Sequence, residues 1–183
     1  REGIFPPLVR NSAIAEAAGL WWLREHIDRD DFIEACVQAA VRWDVNAYYM
    51  VAIAQIESEI RNVGTTGSDA FGPFQIKEAT WEDFRGESGF SAAHRFDPFK
   101  QPFVAGNIAA RGIKALRPVL PGERMPTDAE LYLTHLFGQR GATVILSGGR
   151  NDSIETALNR VFPTNSGLVA DILKANSSLL TEQ

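Results

Sequence analysis

The residues best suited to chemistry lie between Tyr48 and Gln75, in the stretch YYMVAIAQIESEIRNVGTTGSDAFGPFQ. It begins as an apolar run with helical spacing and places Glu57 and Ser58 near the end of that run. A loop rich in Gly, Thr and Ser follows, and the segment closes on Gly72-Pro73-Phe74-Gln75. An acid at the end of an apolar helix, facing a tight glycine turn that ends in an amide, is suited to acid catalysis.

Helix geometry favours Glu57 over Glu59 as the acid, because residues three, four and seven positions apart share a helix face. The neighbours of Glu57 on its face are apolar: Met50, Ile53, Ala54 and Ile60. Those of Glu59 are mixed: Gln55, Ile56, Asn62 and Val63. Apolar surroundings disfavour the ionised carboxylate and raise its pKa, which is what a general acid needs. The alternative is a helix-end carboxylate that reaches water or pairs with Arg61.

Length and composition indicate an ordinary globular protein. The 183 residues predict a single domain over 1–183, with N-terminal helices at 12–43, a core at 47–141 and C-terminal helices at 142–183. A net charge of -5 disfavours nucleic acid as a partner. The single cysteine, Cys36, excludes an intramolecular disulfide and is predicted to be a buried apolar side chain. No apolar run is long enough to predict a transmembrane helix.

The elements that must position these residues are predicted to be helices, with one short β or irregular segment after the central helix. The central helix is predicted over 47–61, with Asn46 as its cap, and its nearly all-round apolar pattern predicts burial on most sides. Thr127 and Glu130 have the spacing of a capping box, which opens a helix that ends at Gly138. Further helices are predicted at 32–43, 80–84, 103–116, 142–146, 154–161 and 168–180.

Two segments together resemble the soluble lytic transglycosylase (SLT) family of lysozyme-like, peptidoglycan-cleaving enzymes. The first is Ala52-Ile53-Ala54-Gln55-Ile56-Glu57-Ser58, and the second is Gly72-Pro73-Phe74-Gln75-Ile76. The separation of Glu57 from Gln75 matches the family spacing, and the resemblance covers about 47–141. The chain departs from the family pattern at Pro73 and Phe74, which replace Leu-Met, and at His135 and Leu136, which replace Tyr-Asn.

The resemblance implies a lysozyme-like fold and cleavage of the β-1,4 bond between N-acetylmuramic acid and N-acetylglucosamine, with a 1,6-anhydro product. Glu57 would be the general acid and base, and Ser58 and Gln75 would hydrogen-bond the sugar. The remaining substrate-binding residues would be Phe74, Tyr132 and His135. The implied partner is the peptidoglycan glycan strand, at the bacterial periplasm or envelope or on a phage virion, alone or within a larger envelope, secretion or phage assembly.

Two alternatives remain open at this stage. Asp69, in the loop that faces the helix end, is the best candidate for a second carboxylate, which would make the protein a hydrolytic muramidase. The other alternative is a non-catalytic module that binds glycan or serves a structural role. The three histidines lie far apart with no ligand spacing, so the sequence predicts neither a metal site nor a cofactor.

Overall fold

The computed structural model describes residues 25–148 and Thr156. Several predicted helical segments lie outside this part of the chain: residues 12–24, the helix at 154–161 apart from Thr156, and the helix at 168–180. The chain divides into two compact units, Arg1–Ala110 and Arg111–Gln183. The prediction of a single domain over 1–183 stays a prediction.

The mainly α prediction is confirmed. The helices are α1 (Arg29–Trp43), α2 (Ala47–Ser58), α3 (Glu78–Ser88), α4 (Gln101–Leu116) and α5 (Asp128–Ser147), with 3₁₀ turns at Ala92–Phe96, Arg117–Val119 and Pro121–Glu123. Between residues 25 and 148, β structure is limited to isolated bridges. These bridges pair His26 with Arg61, Gly64 with Phe71, and Phe71 with Ile76. The last two lie after α2, where the sequence predicts a short β or irregular segment.

Local capping chemistry sets the start of the first two helices. The Asp28 carboxylate accepts hydrogen bonds from the backbone N–H groups of Asp30 and Asp31, both at 3.0 Å, and so caps α1. The Asn46 side chain accepts from the Tyr48 N–H at 2.9 Å and caps α2, as predicted. Cys36 is fully buried in α1, and this burial raises the pKa of its thiol to about 12, which confirms the apolar, inert interpretation.

Two predictions for the central helix are wrong. The helix ends at Ser58 rather than Arg61, because Glu59 and Ile60 both adopt left-handed backbone conformations with φ of 57°. The Ile60 N–H then donates to the Ala54 carbonyl at 3.1 Å, which turns the chain away from the helix axis. Burial on most sides is also wrong, because Tyr48 is 86% exposed and Ile56 is 63% exposed.

The core of the first unit collects around the segment after α2. Its largest fully buried apolar side chains are Phe32, Met50, Phe71, Phe74, Trp81 and Val104. Phe71 and Phe74 belong to the Gly72 turn itself, so the turn is built into the core and does not lie on it as a surface loop.

The second unit contains the predicted capping box. The Thr127 hydroxyl accepts from the Glu130 N–H at 3.2 Å, and the Glu130 carboxylate accepts from the Thr127 N–H at 2.8 Å. Arg124 adds two hydrogen bonds to the same carboxylate, at 2.7 and 2.8 Å. The predicted break at Gly138 is confirmed, since its φ of 71° and ψ of 167° interrupt α5.

The capping box predicts a pH-dependent stability. The hydrogen bonds from Arg124, helped by those from Thr127, lower the pKa of Glu130 from 4.5 to about 2. Because the folded pKa lies below the unfolded one, this stabilisation is complete above the unfolded pKa and is lost as the pH falls towards 2. We expect Glu130→Gln to lower Tm at pH 7 and to match the unsubstituted protein near pH 2. Asp128→Asn controls for the loss of a charge in the same helical turn, and an equal deficit for Glu130→Gln at both pH values would contradict the assignment.

Candidate active site

Glu57 lies in the last turn of α2 and is half-buried. Ile53 and Ala54, its predicted neighbours on the helix face, are buried, and so is the adjacent Ser58. The Arg61 guanidinium pairs with Glu25 at 3.5 Å and with Glu59 at 3.7 Å, and the alternative pairing of Glu57 with Arg61 stays a prediction. Glu57 therefore combines a partly apolar setting with a position at the end of a helix.

Ser58 joins the end of α2 to the glycine turn. Its hydroxyl lies 3.0 Å from the Pro73 carbonyl oxygen and 3.2 Å from that of Ala54, and it accepts from the Arg61 N–H at 3.1 Å. A hydroxyl carries one proton, so the two carbonyl groups share a single donor. Ser58 is 6% exposed. The Ser58 hydroxyl is therefore hydrogen-bonded within the protein, where it links the end of α2 to the turn at Pro73.

The Gln75 side chain is also hydrogen-bonded within the protein. Its Nε2 donates to the carbonyl oxygens of Val63 and Gly72, both at 2.9 Å, and its Oε1 accepts from the Thr65 hydroxyl. The backbone of Gln75 is left-handed, with φ of 48°. The amide predicted to bind sugar therefore fastens the turn to the preceding loop.

Gln101 holds the same turn and was missed by sequence reasoning. This side chain is fully buried. Its Nε2 donates to the carbonyl oxygens of Phe71 and Arg95 at 2.9 and 2.7 Å, and its Oε1 accepts from the Phe74 N–H at 3.3 Å. In the sequence, Gln101 is visible only as a glutamine near the start of a helix, shortly after Asp97-Pro98. That position alone does not indicate a buried side chain.

The aromatic residues of the turn are core residues. Phe74 is 1% exposed and its ring centroid lies 5.8 Å from that of Phe32. Phe71 is fully buried, with its ring 5.2 Å from that of Phe96 in an edge-to-face arrangement. Phe74, predicted to present a face to the sugar, would have to leave the core to do so.

Asp69 is half-buried in the loop and caps α3. Its Oδ2 accepts from the Glu78 N–H at 3.1 Å, whereas Lys77, at the cap position, contributes no side-chain bond. Its main-chain carbonyl accepts from Arg95 Nη1 at 2.7 Å. Arg95 is 5% exposed, and burial lowers its pKa, although the nearby carboxylates of Glu78 and Asp69 oppose that shift. Asp69 therefore has a structural role, because its side chain caps α3 and its carbonyl group binds Arg95.

Tyr132 and His135 belong to the second unit, in the first part of α5. Both are half-buried, and their rings stack with centroids 5.9 Å apart and planes inclined by 17°. They are therefore one aromatic pair on one helix. Their predicted contact with substrate stays a prediction.

No protein-family model matches the chain. Across residues 25–148, no group of three or more His, Cys, Asp or Glu side chains could hold a metal ion. In the same part of the protein, every helix is too short or too polar to cross a membrane.

Proposed function

We propose that this protein is a lysozyme-like lytic transglycosylase that cleaves peptidoglycan, with Glu57 as its general acid and base. One observation carries the proposal: the residue next to Glu57, Ser58, is hydrogen-bonded to Pro73 in the Gly72–Gln75 turn at 3.0 Å. The two segments that resemble the family are thus in direct contact. A half-buried carboxyl group next to a residue that is hydrogen-bonded to this turn supports the role of a positioned acid.

The proposed reaction needs one carboxyl group of the protein. Glu57 protonates the glycosidic oxygen between N-acetylmuramic acid and N-acetylglucosamine, and the C1–O bond breaks as oxocarbenium character develops at C1. The ionised Glu57 then takes the proton from the muramic acid C6 hydroxyl, whose oxygen bonds to C1. The products are a 1,6-anhydromuramic acid end and a free N-acetylglucosamine 4-hydroxyl. No water is consumed, because the nucleophile belongs to the substrate.

The position of Asp69 favours this route over hydrolysis. A hydrolytic muramidase with two carboxyl groups requires the second one as nucleophile or base. The Oδ2 of Asp69 already accepts from the first N–H of α3, at 3.1 Å. Protonating Asp69, or making its Oδ2 the reacting oxygen, would weaken a hydrogen bond at a helix N-terminus, where a negative charge is stabilising.

The assignment of binding roles follows from the same contacts. Ser58 and Gln75 shape the turn with their side chains, so we assign them to positioning rather than to direct sugar contact. Phe74 supports the turn from within the core. Tyr132 and His135 remain the proposed aromatic contacts to the glycan strand. The partner is peptidoglycan, and the site of action is the bacterial envelope or a phage virion.

Digestion of purified cell-wall sacculi tests the proposal. We expect mass spectrometry of the soluble fragments to show 1,6-anhydromuropeptides. Reducing-end muramic acid alone would overturn the transglycosylase assignment and favour the muramidase. Binding to sacculi without released fragments would overturn both and leave the non-catalytic module.

A further inference from the structure

We propose that Gln101 is a positioning residue for Glu57, acting through the Gly72–Gln75 turn and Ser58. The inference rests on the proposed function, since it assigns Glu57 as the acid. It adds a residue that neither the motif nor the resemblance includes.

The turn is held from two directions. On one side, the Ser58 hydroxyl donates to the Pro73 carbonyl, 3.0 Å away. On the other side, the Gln101 amide bonds both residues that flank Gly72-Pro73, at the Phe71 carbonyl and the Phe74 N–H. The Pro73 carbonyl, which fixes Ser58, is therefore located by the bonds that Gln101 makes.

The Gly72 backbone leaves the space that the Gln101 amide occupies. A Cβ on Gly72 would lie 2.1 Å from Gln101 Nε2 and 2.5 Å from Oε1. The amide is therefore packed directly against the turn, where a side chain at position 72 would exclude it. Together with its full burial, this contact distinguishes Gln101 from an amide that only fills space.

The bonds of Gln101 also fix the direction of its amide. Nε2 faces two carbonyl oxygens, of Phe71 and Arg95, and Oε1 faces one N–H group. Rotation of the amide by half a turn would place Oε1 against the two carbonyl oxygens and Nε2 against the Phe74 N–H, so that acceptors would face acceptors and a donor would face a donor. Since buried polar groups require partners, the turn and the amide have one mutually satisfied arrangement.

The coupling to Glu57 passes through adjacent residues. Without the Gln101 bonds, the Gly72–Gln75 turn could shift and move the Pro73 carbonyl away from Ser58. The C-terminal end of α2 would then lose its hydrogen bond to that turn. Small displacements of a catalytic group lower the rate steeply, by about 10²-fold for a shift of about 1 Å. We therefore expect loss of the Gln101 amide to lower kcat by about 10²-fold and to leave KM nearly unchanged.

The test compares Gln101→Met with Asn107→Leu in the full chain. Asn107 is a second buried amide of the first unit, and its Nδ2 donates to the Phe84 carbonyl at 3.3 Å, with no bond to the turn. Both variants are expected to lower Tm. Only Gln101→Met should lower kcat on sacculi about 10²-fold, and only it should speed hydrogen exchange at the Phe74 and Gln75 amides. If Gln101→Met fails to fold, Gln101→Glu, which keeps the size and the acceptor for Phe74, takes its place.

Each result decides the proposal. Equal losses of kcat in the Gln101 and Asn107 variants, or unchanged exchange at Phe74 in the Gln101 variant, would overturn the positioning role. If the unsubstituted protein releases no glycan fragments, the proposed function fails. The exchange measurement would in that case still show whether Gln101 holds the turn, so the two failures are distinguishable.

Discussion

Replacing Glu57 with glutamine is expected to lower the rate of glycan release from sacculi by about 10²- to 10⁴-fold, the usual contribution of general acid–base catalysis. Glutamine has nearly the same size as glutamate, but it carries no proton that it can transfer to the glycosidic oxygen. Glu57 is half-buried at a helix end, so the substitution leaves the backbone of α2 in place. The measurement is the initial rate of muropeptide release, with circular dichroism and Tm as checks of the fold.

Glu59→Gln provides the matched control. Glu59 is only two positions further along the chain, and its side chain is 73% exposed and pairs with Arg61 at 3.7 Å. A surface pair of this kind contributes about 0–1 kcal/mol, so its loss should leave Tm and the rate nearly unchanged. A fully active Glu57→Gln protein would remove Glu57 from the mechanism. Equal losses in both variants would point to a loss of charge rather than of the acid.

Local chemistry explains which parts of the fold are predictable. The Asn46 cap, the Thr127–Glu130 capping box and the break at Gly138 each depend on residues within a few positions of one another, and each is present. The end of α2 was not predictable in this way. Glu59 and Ile60 both adopt left-handed conformations that ordinary residues avoid, so tertiary contacts, not local preference, end the helix.

The side-chain contacts of the candidate site could not be predicted from the sequence either. Sequence alone identifies Ser58 and Gln75 as polar residues beside an acid, but it does not show which partners they already have. Ser58 bonds Pro73, and Gln75 bonds Val63, through turns that exist only in the folded chain. The exposure of an aromatic side chain is equally hard to predict. An aromatic residue next to a glycine turn could contact a sugar or pack in the core, and only the structure shows that the Phe74 ring packs against Phe32.

Gln101 is the clearest case of long-range information. It lies 30 positions from Phe71, whose carbonyl it bonds, and 27 from Phe74. Neither helical periodicity nor any motif connects these positions. The sequence could therefore offer Glu57 as a candidate acid, because the residue itself is the signal, whereas it could not identify Gln101 as a residue that holds the neighbouring turn.

Gly72→Ala is expected to destabilise the protein by roughly 3–5 kcal/mol, the sum of backbone strain and a lost buried hydrogen-bond network. Gly72 has φ of 79°, where an L-residue costs about 1–2 kcal/mol. The added methyl group would also lie 2.1 Å from Gln101 Nε2. Long side chains often move aside at little cost, but Gln101 is fully buried and fixed by three hydrogen bonds. Urea unfolding followed by fluorescence measures the loss.

Gly67→Ala separates the two contributions. Gly67 has φ of 80°, nearly the same as Gly72, but nothing lies within 4 Å of a Cβ placed there. It should therefore show the backbone strain alone, about 1–2 kcal/mol. We expect Gly72→Ala to exceed that loss clearly and to lower glycan release as well, because the displaced amide no longer holds the Pro73 carbonyl against Ser58. Equal destabilisation in the two alanine variants would mean that the Gln101 amide yields freely, and the turn would then lack the rigidity that positions Glu57.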